Sequence, residues 1–528
     1  MGRREVFAPV NFSALTQVAL LETGRQPIAM AAGETDLNRL LQQLDLTRPE
    51  ESLLAAAALS GLHEAIGQLP ARDTAPAPEP CAKEVLPRMS ERAGSLLLRL
   101  LGGDFPELLP ECLQLSTRAG QLPFPEALPG LLSTGRNRAE WRETVLPLLG
   151  QRGRWLATQN PEWAWAVGAT AEDETIWQVG DVAARLLFLQ RQRRTAPAHA
   201  RELLAASWSA ETPEDRASFI AVLGIGLTPA DEPLLEAALD DRRKEVRRHA
   251  VNLLAQLPDS ALVRRLTERA RPLLTFVPAE AGSLLKLKKA KPAAVEITLP
   301  AECDKAMQRD GIDPKPVAGF GEKIGWLIQM LELVPLEVWT AEWHSPPADI
   351  IAASLQSEWA KELFEAWTRA AVRQQHAGWA ETLFTIALQA KRVHQLEGLL
   401  GALPARQQER LLAPLLAADD GTTGNIQGAL VNACRHAWSF EFSRSVLAWL
   451  RKITALPGGD WQLRNQFKGL ATRLAVPALA EVAAPWPTAA AGWEFWSKGV
   501  DEFLALAQFR ADLHAAFPML STSTPQPL

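Results

Sequence analysis

Apolar side chains recur at helical spacing along almost the whole of this 528-residue chain, and that period limits its fold more than any other feature. The clearest run starts at Val246. From there Val246, Ala250, Leu253, Leu254 and Leu257 fall at i, i+4, i+7, i+8 and i+11, one buried stripe with Arg247, Arg248 and Asn252 on the opposite face. Pro258 stops this helix, and Asp259 or Ser260 is placed to cap the next. Upstream, Thr212-Pro213-Glu214-Asp215 has the form of a helix start, with a hydroxyl N-cap, Pro at the first helical position and acid in the positive first turn. Thr228-Pro229, with Asp231 and Glu232, has the same form 16 residues later, which predicts short helices stacked through tight turns. Further on, Leu355, Trp359, Leu363, Trp367 and Ala371 fall every fourth residue. Trp379, Leu383 and Ala387 repeat that spacing, and Trp493, Trp496, Val500, Phe503, Leu504 and Ala507 form a third stripe. Indoles at such positions supply large buried area between helices, so the expected fold is all-α.

The chain is too long for a single compact core and is expected to form several packed units. The Pro- and Ala-rich stretch 70–82 has the composition of an exposed linker within an N-terminal helical region, 1–150. Helical repeats are expected over 151–276. The helical period fails over 277–325, where the expectation is an irregular central connector with one short strand, Val295 to Leu299, serving as a docking element or left partly disordered. A second helical region is expected over 326–520, followed by a loose tail, 521–528.

Charge and motif content narrow the function. The net charge is −6, so the molecule as a whole has no reason to collect on nucleic acid or anionic lipid. Only the section 181–300 is basic, with 19 basic and 15 acidic residues. No window approaches the roughly 20 continuous apolar residues of a bilayer span, so no membrane association is expected. Cys81, Cys112, Cys303 and Cys434 stand apart, with neither zinc-ligand nor disulfide spacing. Together with an N-terminal stretch that does not read as an export signal, they make the cytoplasm the expected location. The sequence contains no GxxxxGK[ST], HExxH or GxSxG motif, and its His residues stand singly. Gly319 to Gly325 reads as a capping loop and Asp419 to Asn425 as an inter-helix turn. No catalytic, cofactor-binding or metal-binding residue is therefore assigned, and the chain is read as non-enzymatic.

Two groups of residues are candidates for binding a partner. Arg243, Arg247, Arg248, Arg264 and Arg265 lie on successive helices and could form a ridge that contacts phosphates or an acidic protein surface. Asp240, Asp241, Glu245, Asp259 and Glu268 are interleaved and could neutralise it by internal pairs. Arg247 is placed to bond back to the Asp240-Asp241 turn. Trp155, Trp163 and Trp165 flank a corner in which a helix ends near Gln159, Asn160 prepares a turn and Pro161 opens the next helix. They can pack around that corner or form an exposed aromatic partner site.

The segment DEPLLEAALDDRRKEVRRHAVNLLAQLP, 231–258, resembles a HEAT-type repeat, with helices from about 181 to 274 as looser copies. That resemblance implies an α-solenoid, an architecture whose concave surfaces bind protein or nucleic acid. A wider resemblance rests on GQRGRWLATQNPEWAWAVG at 150–168, on 212–258, and on GFGEKIGWLIQMLELVPLEVW at 319–339. These stretches resemble an uncharacterised bacterial family encoded beside a MoxR-type AAA ATPase, a von Willebrand factor A domain protein and a SWIM zinc-finger protein. The resemblance supplies no catalytic residues. It implies a scaffold or adaptor in a MoxR-type system, with the ATPase or the von Willebrand factor A domain protein as partner. Nucleic-acid binding through the Arg ridge is the alternative.

Overall fold

Helices begin where a short polar side chain can take up a free N–H of the first turn. Thr212 Oγ1 accepts from Asp215 N at 3.2 Å to start Pro213–Val222, and Ser260 Oγ accepts from Val263 N at 3.3 Å to start Ala261–Ala270. At Thr228 the exchange is reciprocal, a capping box in which Asp231 Oδ2 also accepts from Thr228 N at 2.9 Å. The Asn160 corner forms as its sequence predicts. Gly150–Gln159 ends there, and Asn160 Oδ1 accepts from Glu162 N at the start of Pro161–Ala166.

The computed structural model describes residues 12–26, 28, 35–67, 79–167, 174–280, 291–315, 319–419 and 426–517. The fold is mostly helical. Among the described residues the one sheet is an antiparallel hairpin, Leu274–Val277 against Ala294–Ile297, with Leu274 opposite Ile297. The strand expected at Val295 to Leu299 is the second of these. Most of the 70–82 stretch and all of the 521–528 tail lie outside the described residues.

The chain divides into two compact units, Met1–Pro80 and Cys81–Leu528. The first carries the helices Phe12–Leu21, Asp36–Leu41 and Pro49–Gly67 around a small core of Leu15, Leu41 and Ala56. The core of the second runs from Met89 to Phe517. Within this unit the connector expected over 277–325 is not a break in packing, because its Val295, Met307 and Ile312 are buried in the same core. The connector's described part is ordered. Its second strand packs on Pro347–Ser354, and a short helix, Lys305–Arg309, is capped by Asp304.

Through this unit helices pack in succession. Val182–Thr195 packs on Pro213–Val222, which packs on Lys244–Leu254. Ala261–Ala270 then leads through Glu322–Leu333, Ala360–Gln374, Val393–Gly401, Ile426–Ala433 and Trp461–Leu470 to Trp493–Ala516, each on the next. An indole row crosses the middle of this succession. Trp343 to Trp339, Trp339 to Trp367 and Trp367 to Trp379 have ring centroids 5.0, 5.9 and 5.1 Å apart, and Phe276 of the hairpin stacks on Trp343 at 5.6 Å. The every-fourth stripe from Leu355 to Ala371 is broken by a turn. Leu355 closes one helix and Trp359 precedes the next, so only Leu363, Trp367 and Ala371 share a helix face.

Arg193 and Asp231 form an ion pair whose side chains are both fully buried, bonded bidentately at 2.9 Å. Arg193 also donates to Leu223 O, Ile225 O and Gly226 O, and to Pro197 O. Burial works to raise the Asp231 pKa, but the bonds from Arg193, Thr228 and Arg201 outweigh it and hold the carboxyl below its usual range. Asp231→Ala should lower stability by about 3–5 kcal/mol, because it strands a buried guanidinium, and urea unfolding would show it as a lowered midpoint.

The last helix of the second unit also packs on its first, Glu91–Leu101. Arg510 forks onto Glu111 at 2.8 and 2.9 Å, and His514 Nε2 lies 2.7 Å from the same carboxylate. Arg92–Asp512 and Lys468–Glu107 add pairs at 2.8 and 2.7 Å. Burial alone would raise the Glu111 pKa, yet the hydrogen bonds from His514 and Arg510 bring it down from 4.5 to about 2. A depressed carboxylate stabilises the fold above its unfolded value and loses that contribution as pH falls through its folded one. Glu111→Gln should therefore destabilise the protein at pH 7, and its deficit relative to the parent should shrink as pH falls from 4.5 towards about 2. Thermal melts across that range would measure the gap.

Candidate functional site

The helix Lys244–Leu254 buries Val246, Ala250, Leu253 and Leu254, which leaves Lys244, Arg247, Arg248 and Asn252 towards an opening. That opening is a cleft of about 490 Å³, walled by this helix, the Gln308 to Pro314 turn, Gln329, Glu332 and Leu333 of Glu322–Leu333, and Arg373. Val251, Ile312 and Leu333 form its apolar floor, each at least nine-tenths buried. The floor closes only because residue 311 is glycine. It has φ +93°, and a Cβ there would come within 2.7 Å of Val251. Gln329 holds the turn, accepting from Asp313 N at 2.8 Å and donating to Asp313 O at 3.2 Å.

The cations around the cleft fall into two classes. Lys244 Nζ donates to Asp313 Oδ2 at 2.9 Å, and this bond is the first of the causes that lower the Asp313 pKa. Arg373 forks onto Glu332 Oε1 at 3.0 and 2.5 Å and donates to Asn252 Oδ1 at 2.7 Å. Both charges are matched. Arg247 bonds back to the turn as its position predicts, but through carbonyls: Nη1 donates to Asp241 O at 2.7 Å and Arg242 O at 3.0 Å. The Asp241 carboxylate is taken by Arg216 at 2.9 Å. Arg248 is exposed and has no ion pair among the described residues. Its charge, after burial, is a cause of the lowered His249 pKa.

The remaining ridge candidates are dispersed. Arg243 pairs with Glu214, and Arg264 is exposed. Arg265 lies 2.6 Å from Asp310 and 3.1 Å from Glu236, and Asp310 also takes Arg269 at 2.5 Å. The hydrogen bond to Asp310 is the main reason the Arg265 pKa rises. The interleaved acids are not the main neutralisers: Asp240 pairs with Arg309 and Asp241 with Arg216, while Glu214 takes Arg243, and Glu236 and Asp310 take Arg265. Helical neighbours three or four residues apart share a face, but here a carboxylate on another element comes closer.

The tryptophan corner is packed. Trp155 is half-buried, and Trp163 and Trp165 lie against the core. Trp165 Nε1 donates to Leu132 O at 3.2 Å, and the ring lies so close over Gly135 that a Cβ there would meet it at 2.2 Å. Arg142 stands 5.5 Å from the ring centroid.

Sequence reasoning did not single out Asp313, Gln329, Glu332 or Arg373. The available signal was polarity in an apolar stretch, since Gln329 and Glu332 interrupt a helix that otherwise buries Trp326, Leu327, Ile328, Met330, Leu331 and Leu333. Among the described residues no cluster of His, Cys, Asp or Glu is arranged to hold a metal ion. No described helix is long and apolar enough to cross a membrane. Burial pushes the Cys112 and Cys434 thiols up to about 12, far from thiolate reactivity at neutral pH.

A family model matches residues 14–517, that of a family of unknown function, DUF5691. The chain belongs to this family. The match extends over both compact units and takes in every residue of the cleft. No curated protein and no solved structure matches the chain.

Asp310, 1% exposed, anchors the wall behind the cleft. Asp310→Ala should cost about 3 kcal/mol by taking from Arg269 the carboxylate it holds and leaving Arg265 with Glu236 alone. Arg264→Ala, at an exposed neighbour, should stay within about 0.5 kcal/mol. Chemical denaturation of the two variants tests the contrast.

Proposed function

We propose that this protein is a non-enzymatic scaffold or adaptor of the helical-repeat, HEAT-like kind, which binds other proteins in the cytoplasm as a component of a MoxR-type AAA ATPase system. Its partner is the ATPase or a von Willebrand factor A domain protein. The observation that carries the reading is the cleft, with its apolar floor, its hydrogen-bonded rim and two guanidinium groups that no carboxylate among the described residues neutralises. Such a surface is suited to holding a segment of another chain. The succession of helices, each packed on the next, supports the repeat-like reading, since stacked helix pairs build a continuous core in that way.

The alternative, nucleic-acid binding through Arg243, Arg247, Arg248, Arg264 and Arg265, is weakened by what those side chains already do. Arg243 and Arg265 hold carboxylates, so of these five a phosphate backbone would find Arg247, Arg248 and Arg264, the first of them with one nitrogen already committed to carbonyls. Affinity for nucleic acid grows with the number of phosphates neutralised, and three cations without an ion pair among the described residues supply little of it.

Tagged full-length protein, recovered from its native cells with and without a non-hydrolysable ATP analogue, should bring down the ATPase or the von Willebrand factor A domain protein. Recovery of neither under both conditions would overturn the reading. Retention on single-stranded DNA at moderate salt, lost on reversing Arg248 and Arg264, would replace it with the alternative.

A further inference from the structure

We propose that the cleft between Lys244–Leu254, the Gln308 to Pro314 turn and Glu322–Leu333 is the docking site for an acidic, aliphatic peptide segment of a partner protein, read by Arg248 and Arg247. This rests on the adaptor reading and specifies what the adaptor grips. Six side chains decide the class of ligand. Lys244 and Arg373 are already matched by Asp313 and Glu332, so the rim's unbalanced charge is the positive charge of Arg247 and Arg248. Arg247 commits only Nη1, to Asp241 O and Arg242 O, which leaves Nε–H and the Nη2 donors for an incoming carboxylate. Arg248, one residue on and exposed, adds a second guanidinium without an ion pair among the described residues. Two neighbouring guanidinium groups suit a carboxylate held by charge-assisted bonds.

The floor argues for a peptide rather than a small anion. Val251, Ile312 and Leu333 offer carbon where a phosphate or free carboxylate site would offer further donors. A ligand satisfying both surfaces sets an aliphatic side chain on the floor and an acidic one at the rim. At about 490 Å³ the cleft falls within the roughly 300–1,000 Å³ range of sites that enclose a few groups, and so fits a short stretch of chain and not a folded face. The rim is rigid before anything binds. Gln329 pins the turn and Arg373 bridges Glu332 to Asn252, so little ordering cost falls on the protein.

Fluorescence anisotropy on the full chain tests this with a fluorescein-labelled decapeptide of alternating Leu and Glu and its Leu/Gln and Leu/Lys counterparts. The Leu/Glu peptide should bind saturably. The Leu/Gln peptide and the Arg248→Glu variant should each weaken binding about tenfold, the loss expected for one charge-assisted contact. Arg264→Glu, an equal change of charge outside the cleft, should stay within about twofold, because a distant exposed charge is screened. Circular dichroism would show both variants folded. The inference falls if no saturation occurs, if the Leu/Gln or Leu/Lys peptide binds as well, or if the two charge reversals are equivalent. It also falls if single-stranded DNA displaces the peptide and binds more tightly. Partner recovery that succeeds and is unaffected by Arg248→Glu would leave the adaptor reading standing and overturn this assignment alone.

Discussion

The fully buried Arg193–Asp231 pair holds the start of the helical succession together, because it gathers four chain segments around one guanidinium. Arg193 arrives from Val182–Thr195 and fills its donors with the Asp231 carboxylate, the carbonyls after Pro213–Val222, and Pro197 O at the start of the next helix. A charge taken wholly out of water is tolerable only when each donor is met, and this one has no spare donor. Asp231 is equally committed, to Arg193, to Arg201 and to the Thr228 N–H that it caps. One carboxylate thus starts a helix and neutralises the residue that ends another.

The same device recurs along the chain. The last carbonyls of a helix have no partner within it and carry the negative end of its dipole, so an arginine from a neighbouring element completes them. Arg142 donates to Gly135 O, Arg473 to Val431 O and Asn432 O, and Arg510 to Ala471 O and Leu474 O. Arg247 instead donates back to carbonyls of the turn that precedes its own helix, beside the cleft. Arginine therefore serves repeatedly as helix-junction chemistry here. Its abundance in the basic section is not a measure of nucleic-acid affinity. Among the described residues of the basic section Arg242, Arg247, Arg248 and Arg264 have no ion pair, and Arg247 and Arg248 stand at the rim of an apolar-floored cleft.

Much of the local structure was readable before any coordinates. Hydroxyl caps at Thr212 and Ser260, the Asn160 corner and the return of Arg247 to its own turn all depend on residues within a few positions of each other. The candidate site was readable in half. Arg247 and Arg248 stood out on the polar face of a strongly periodic helix, whereas the wall opposite them, Gln329 and Glu332, sat in a helix whose apolar run concealed two functional-looking polar positions. The tryptophans at 155, 163 and 165 could pack around their corner or stand exposed, and Trp165 packs, on Gly135 and with its indole N–H on Leu132 O.

The sequence by itself determined the helices, their starts and stops, and which face of each is apolar, because period and capping act over three or four residues. Tertiary structure alone decided which carboxylate meets which arginine. Arg510 reaches Glu111 across 399 positions, Arg265 reaches Asp310 across 45, and Lys244 reaches Asp313 across 69. No spacing rule reaches that far. Coulomb attraction depends on distance through space, and only the packed helices bring those charges close, leaving Arg248 at the edge of the cleft without an ion pair among the described residues.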